Sequence, residues 1–247
     1  MVSLDIHCTD ISKSFGATKA VSPFSITLTG GQTTALVGPS GCGKSTILRM
    51  IAGLDAPDTG TIRLGDAPPR AVAKRGGLAM AFQDPSLLPW RSVRANIALG
   101  AELARKSADG VDALIDLVGL SGFADHRPAE LSGGMRQRAA IARSLISAPD
   151  VLLLDEPFGA VDAMTRRRLN TDLPPLWRAR GATVVLVTHS VQEAVLLSDR
   201  VLVLSPRPAR LVADIPVVLS GVRDSNLFET PEFLMLSRQV FSALEDA

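Results

Sequence analysis

The chain of 247 residues has no tyrosine, only two cysteines and almost no net charge, +1 at pH 7. Cys8 and Cys42 do not form a disulfide framework, and Cys42 sits in a glycine-rich loop where a free thiol is the simpler reading, which favours the cytosol. With the charge balanced, no excess of basic residues points to nucleic acid, and no block of like charges marks a disordered tail. No stretch approaches the ~18 apolar residues of a membrane span. Arg143, Pro149 and Asp150 interrupt the longest candidate. The opening "MVSLDIHCTDISKSF" lacks a charged region followed by a long apolar core, so no secretory signal is expected. Neither an internal repeat nor a low-complexity segment is found. What the chain does have is apolar residues, 46% of the total, enough for a sizeable core in one large domain or two small ones. A mean hydropathy of +0.23 without a span implies a large core or a surface that docks onto another molecule.

Short β-type runs, "LDIHCTDISKSF", "FSITLT" and "TIRLG", recur near the start between Gly-, Pro- and Asp-rich turns and predict a small sheet. "TTALVG" reads as a buried strand that breaks into a glycine loop and then into the helix "KSTILRMIAGL". Later "VLLLDE", "TVVLVTH" and "RVLVLS" alternate with helical segments, the pattern of a parallel sheet. Between Pro85 and Pro149 the β signal disappears, and "VRANIALGAELARK", "GVDALIDLVGL" and "GMRQRAAIARSLI" predict a helical block inserted into an α/β domain. Pro174-Pro175 is expected to break or kink a helix, and "PEFLMLSRQVFSALEDA" reads as one amphipathic helix with proline at its start.

"GPSGCGKST" matches G-x-x-x-x-G-K-[ST], and strand, loop and helix stand in the required order. Gly38, Pro39, Ser40, Gly41, Cys42 and Gly43 can turn backbone N–H groups onto phosphates, Lys44 can reach the β- and γ-phosphates, and Ser45 can ligate magnesium. The Cys42 thiol either faces the phosphate mouth or turns into the core. In "VLLLDEP" the carboxylates of Asp155 and Glu156 emerge at the end of a buried strand, where open α/β sheets place ligands. On an extended chain the two point to opposite faces and so differ in role: Asp155 fits a magnesium shell, Glu156 a base that orients water. His189 and Gln83 also end apolar runs; the histidine alone fits a core or helix-cap residue equally well, and the glutamine amide can contact magnesium or water. A second candidate anion site is "LSGGMRQR", where Gly133 and Gly134 follow Ser132 at the mouth of a basic amphipathic helix.

With the phosphate loop upstream and "VLLLDEP" and "VTHS" downstream, "LSGGMRQR" resembles the nucleotide-binding subunit of an ABC transporter, and the resemblance covers essentially the whole chain. It implies an α/β P-loop NTPase (RecA-like) core with an N-terminal antiparallel β subdomain and an inserted α-helical signature subdomain. It also implies one ABC ATPase domain over 1–247, with 1–85 and 150–247 as the core and 86–149 helical. ATP and Mg²⁺ are the implied ligands. Lys44, Ser45 and Thr46 would act on phosphates and magnesium, Gln83 on the metal and a coupling loop, Asp155 in the metal shell, Glu156 as catalytic base and His189 as γ-phosphate sensor. In this family two subunits pair head to tail, so Ser132, Gly133 and Gly134 would close over the partner's ATP, with Asp162 in the loop that crosses the dimer. Adenine usually stacks on a tyrosine, for which Phe15 stands here with its π face kept. "GAVDA" also departs from the family in lacking the common leucine before the aspartate.

The stretch "FQDPSLLPWRSVRANI" resembles the nitrate, sulfonate and taurine importer group. The expectation is an ATPase peripheral to the cytoplasmic face of a bacterial inner membrane, docked through Leu87, Leu88, Pro89 and Trp90 on an integral permease. A periplasmic or surface solute-binding protein would be an indirect partner, and no nucleic acid is expected. The alternatives are import of another small solute, such as a thiamine precursor, and an ABC ATPase of DNA repair or translation. The latter usually carries a long coiled coil or two ATPase halves, which this chain lacks. A small-molecule kinase explains neither "LSGGMRQR" nor "VTHS".

Overall fold

In the computed structural model residues 3–220, 223 and 225–247 are described. The N-terminal runs form an antiparallel sheet in the order β2-β1-β4, from β1 (Ile6–Phe15), β2 (Thr18–Leu28) and β4 (Thr59–Leu64). A second, six-stranded sheet runs β5-β6-β7-β3-β8-β9, with β3 (Thr33–Val37), β5 (Leu78–Ala81), β6 (Val151–Asp155), β7 (Thr183–Val187), β8 (Arg200–Leu204) and β9 (Leu211–Pro216). All its pairings are parallel except β8 with β9. The expected parallel sheet is thus present, with β3 inserted between two of the later strands and an antiparallel edge added.

Every residue of β3, β6 and β7 is buried, which is why these strands read as continuous apolar runs instead of alternating ones. Their side chains still alternate between two cores. Leu152 and Leu154 face one with Ile97, Ile141, Val195 and Phe233. Val151 and Leu153 face the other with Ile6, Leu28, Leu48 and Ile51. The second core joins the two sheets through α1 (Lys44–Ile51). A short α2 (Pro69–Lys74) precedes β5.

Between β5 and β6 the chain is helical, in α3 (Val93–Ala104), α4 (Val111–Leu117) and α5 (Gly133–Ile146), as expected for this block. After β6 come α6 (Ala163–Asp172) and α7 (Pro174–Arg178). The double proline therefore separates two helices joined at Leu173: both prolines stand in the first turn of α7, where no N–H is needed. Downstream of β7 lies α8 (Val191–Leu197), and α9 (Pro231–Glu245), capped by Thr230, is the single amphipathic helix expected at the end.

Candidate active site

Register places the site. Pairings Ala81 with Leu154, Asp155 with Val187, and Leu36 with Val187 bring the C-terminal ends of β5, β6, β7 and β3 level at one sheet edge. Whatever follows those four strands is gathered there: Gln83, Asp155 with Glu156, His189, and the loop of residues 38–43. This is where parallel sheets present ligand-binding groups.

The loop enters α1 through Gly43, whose φ of +126° suits glycine alone and whose position leaves no room for a Cβ, which would lie 2.9 Å from the Ala20 carbonyl. No side chain caps α1, and no acidic residue stands in its first turn, so its leading N–H groups and positive dipole end are left for an anion. Lys44 is buried, with Nζ donating to the carbonyls of Gly38 at 2.8 Å and Pro39 at 2.9 Å. A cavity of ≈ 240 Å³ is lined by Ser40, Gly41, Gly43, Lys44, Ser45, Thr46, Gln83, Glu156 and Arg207. The Cys42 side chain, 1% exposed, lies in the core, so the inward alternative holds and only its backbone is available to a ligand. Cys8 is buried as well, and burial pushes its thiol up to about 12.

Asp155 is buried at the end of β6 and accepts a hydrogen bond of 3.0 Å from the Ser45 hydroxyl. Burial raises its carboxyl above the ordinary carboxylate range, against the opposing pull of that hydroxyl. Glu156 corrects one expectation. It does not continue the extended strand but sits at φ +46°, so a left-handed turn and not strand alternation aims its side chain into the cavity. Its backbone N–H donates to the Val187 carbonyl at 2.9 Å, which anchors the turn to β7. Around Oε2 of Glu156 stand Gln83 Nε2 at 3.4 Å and His189 Nδ1 at 3.5 Å. A carboxylate with one hydrophobic strand behind it and two polar side chains on one oxygen can accept a proton from a water in the cavity.

The second anion mouth is built separately. Ser132 caps α5 by accepting from the Met135 N–H at 3.2 Å. A Cβ on Gly134 would lie 2.9 Å from the Ala160 carbonyl, so the helix mouth packs on the loop leading to Asp162, which itself caps α6 through the Thr165 N–H at 3.0 Å. That bond holds the Asp162 carboxyl below its ordinary range. None of Ser132, Gly133, Gly134 or Asp162 lines the cavity of its own phosphate loop. Phe15 is also outside it, half exposed, with the Lys13 ammonium 5.5 Å from its ring centroid.

Sequence reasoning missed four residues that complete this arrangement. Gln137 of α5 donates to the Phe82 carbonyl at 3.2 Å, and Arg143 donates to the carbonyls of Pro85 at 2.8 Å and Ser86 at 2.9 Å. Buried Asn96 of α3 both donates to and accepts from the backbone of Leu88, at 3.1 and 2.7 Å. The helical block thereby grips the loop after Gln83, leaving Leu87 packed on the core and Trp90 68% exposed. Arg207 is the fourth, in a turn that no motif marked. A side chain's reach across the fold leaves no trace in local sequence, so only folding reveals these contacts.

The comparisons agree with the geometry. The ABC transporter family profile matches residues 21–159. A taurine import ATP-binding protein of Jannaschia sp. (strain CCS1) is 40% identical over 241 residues, spanning 94% of this chain and 88% of that protein. An aliphatic sulfonates import ATP-binding protein of Burkholderia lata is 44% identical over 221 residues, spanning 90% of this chain and 80% of its own length. Among solved structures, the dimeric bacterial ABC transporter cassette MJ0796 superposes with a TM-score of 0.78 at 26% identity, over 87% of this chain and 99% of that one. A post-hydrolysis state of the same cassette bound to ADP and Pi gives 0.77.

Proposed function

This chain belongs to the ABC transporter family, and from that premise we propose that it is the ATP-hydrolysing subunit of an importer whose cargo is taurine or a related small sulfonate. The chemistry is ATP hydrolysis on a P-loop NTPase fold. The observation that carries the residue assignment is the grouping of Gln83 and His189 on one oxygen of Glu156, beside the cavity that holds Lys44. In this reading the residues of 38–46 cradle the phosphates, Lys44 neutralises them, and Phe15 stacks on adenine. Glu156 takes the proton of the attacking water, and Gln83 and His189 hold its carboxylate toward that water.

The residues also fit Mg²⁺. Among the described residues no group of three His, Cys, Asp or Glu could hold a metal, but Mg²⁺ in nucleotide sites needs only one or two protein oxygens beside the phosphates. The adjacent Ser45 hydroxyl and Asp155 carboxylate supply such oxygens, and Gln83 is the third candidate. When bound, Mg²⁺ neutralises charge on the transferring phosphate.

We further assign Ser132, Gly133 and Gly134 to the nucleotide of a second copy of this chain. Their exclusion from their own cavity supports it, as does similarity to a dimeric cassette. Among the described residues no helix is long and apolar enough to cross a membrane. A separate permease would supply the span, with this subunit at the cytoplasmic face and a solute-binding protein delivering cargo from the other side. Trp90 is the expected anchor on the permease, being a large exposed aromatic on a loop gripped from behind. Trp90→Ala is expected to weaken the complex by roughly 30-fold or more, about 2 kcal/mol, in a pull-down of the assembled transporter, with basal ATPase intact. Retention of the permease by this variant would remove the docking role.

The cargo assignment is tested by deleting the gene and growing the strain on single sulfur sources. Growth should fail on taurine or an alkanesulfonate and persist on sulfate. Normal growth on every sulfonate, with loss on nitrate or another solute, would reject the sulfonate assignment.

A further inference from the structure

We infer that Arg207 is a further nucleotide-binding residue, a second cation that contacts the α- and β-phosphates from the rim of the cavity. This rests on the nucleotide reading above. Arg207 lines the cavity beside Ser40, Gly41 and Gly43 of the loop whose backbone N–H groups cradle α- and β-phosphates, whereas Lys44 reaches the β- and γ-phosphates. Its Nε and Nη2 both donate to the Gly41 carbonyl, at 3.0 and 2.6 Å. That leaves the rest of a guanidinium's five N–H donors, including both on Nη1, without a hydrogen bond among the described residues. No carboxylate pairs with it there either, and the side chain is exposed. An unpaired, forked cation at the mouth of a phosphate cavity is matched to bidentate contact with phosphate oxygens.

The position is also built, not accidental. The turn carrying Arg207 is closed by Ser205, whose N–H donates to the Arg210 carbonyl at 3.0 Å and whose hydroxyl accepts from the Arg210 N–H at 3.2 Å. Ala209 then stitches the turn to β2, donating to the Ala20 carbonyl and accepting from the Ser22 N–H, each at 2.9 Å. The Ala20 carbonyl and the Ala209 side chain are the atoms that crowd Gly43, so β2, the turn and the phosphate loop form one packed unit. Arg207 therefore meets the nucleotide with its backbone already held, which limits the entropy lost on contact.

The rival role is a neutral one, bracing the Gly41 carbonyl and nothing else. The full chain carrying Arg207→Ala, Arg207→Lys or Arg207→Gln separates the two by titration with MgATP and MgADP, together with the KM and kcat of hydrolysis. Arg207→Ala should raise Kd about tenfold, the usual scale for one charged hydrogen bond. The rise should be alike for ATP and ADP and fall on KM more than on kcat. Arg207→Lys should recover part of the loss; Arg207→Gln, which can still donate to Gly41 but carries no charge, should not. The difference from wild type should shrink as salt rises. A Kd within twofold of wild type for Arg207→Ala overturns the inference, as does recovery by Gln equal to that by Lys. If the alanine variant does not fold, the Lys and Gln variants decide the matter alone. Should the wild-type protein itself bind neither nucleotide, the nucleotide reading fails and the assignment of Arg207 falls with it; wild-type binding that Arg207→Ala leaves intact overturns the assignment of Arg207 alone.

Discussion

Glu156→Gln is expected to lower ATP turnover by about 10² to 10⁴, the usual effect of removing a general base, while ATP binding persists. The substitution preserves shape and removes only the ability to take a proton. Glutamine can keep its place between Gln83 and His189, and the left-handed backbone at φ +46° strains both residues alike. The phosphate cradle, built from Gly43, Lys44 and the start of α1, is untouched. Phosphate release under saturating ATP should therefore collapse while nucleotide titration stays close to wild type. Lys44→Ala should do the reverse and weaken binding itself, because it deletes the buried cation of the cavity. Near-normal hydrolysis by Glu156→Gln would take the proton-accepting role away from this carboxylate.

In that Glu156→Gln background ATP should accumulate a closed dimer, visible by size-exclusion chromatography, since hydrolysis no longer reopens it. Adding Ser132→Arg should abolish the dimer while each monomer still binds ATP through its own Lys44 loop, because Ser132 lies outside the cavity of its own chain. Arginine also removes the cap that Ser132 provides to α5, a loss of about 0.5–2 kcal/mol in helix stability. Ser132→Asp controls for this: aspartate caps as well as serine but brings a carboxylate against the partner's phosphates. Both variants should lose the dimer and keep monomer affinity. If aspartate restored the dimer, helix capping and not phosphate contact would explain the arginine result. A fall of monomer affinity in parallel with dimerisation would mean that Ser132 serves the nucleotide of its own chain.

Legibility in the sequence followed how local the physics is. β6 and β7 could be read because both their faces are buried and their composition records it. The phosphate loop could be read because backbone turns need glycine at set spacings, and the break before Pro174 because proline constrains its own neighbourhood. Three elements escaped. β5 is four residues of Leu, Ala and Met, only partly buried and poor in β-branched side chains. β9 is an edge strand ending in Pro216, with a mixed burial pattern. α2 is too short for a helical period to declare itself. Glu156 departs from the alternation expected of a strand for a related reason: alternation holds only while the strand continues, and here the strand ends at Asp155.

By itself, then, the sequence determined the chemical inventory: a phosphate loop, two carboxylates at a strand end, a capped glycine mouth, and the family that carries them together. Each depends on residues close in the chain, and local sterics and hydrogen bonding dictate their form. Only the tertiary structure decided which of them meet. The register of β5, β6, β7 and β3 brings Gln83, Glu156 and His189 onto one oxygen atom from residues up to 106 positions apart. It also turns Cys42 inward, sets Arg207 on Gly41 across 166 positions, and keeps Ser132 out of the cavity of its own phosphate loop. Such contacts follow from how two cores pack on opposite faces of one sheet, and a packing of that range leaves no periodicity for the chain to display.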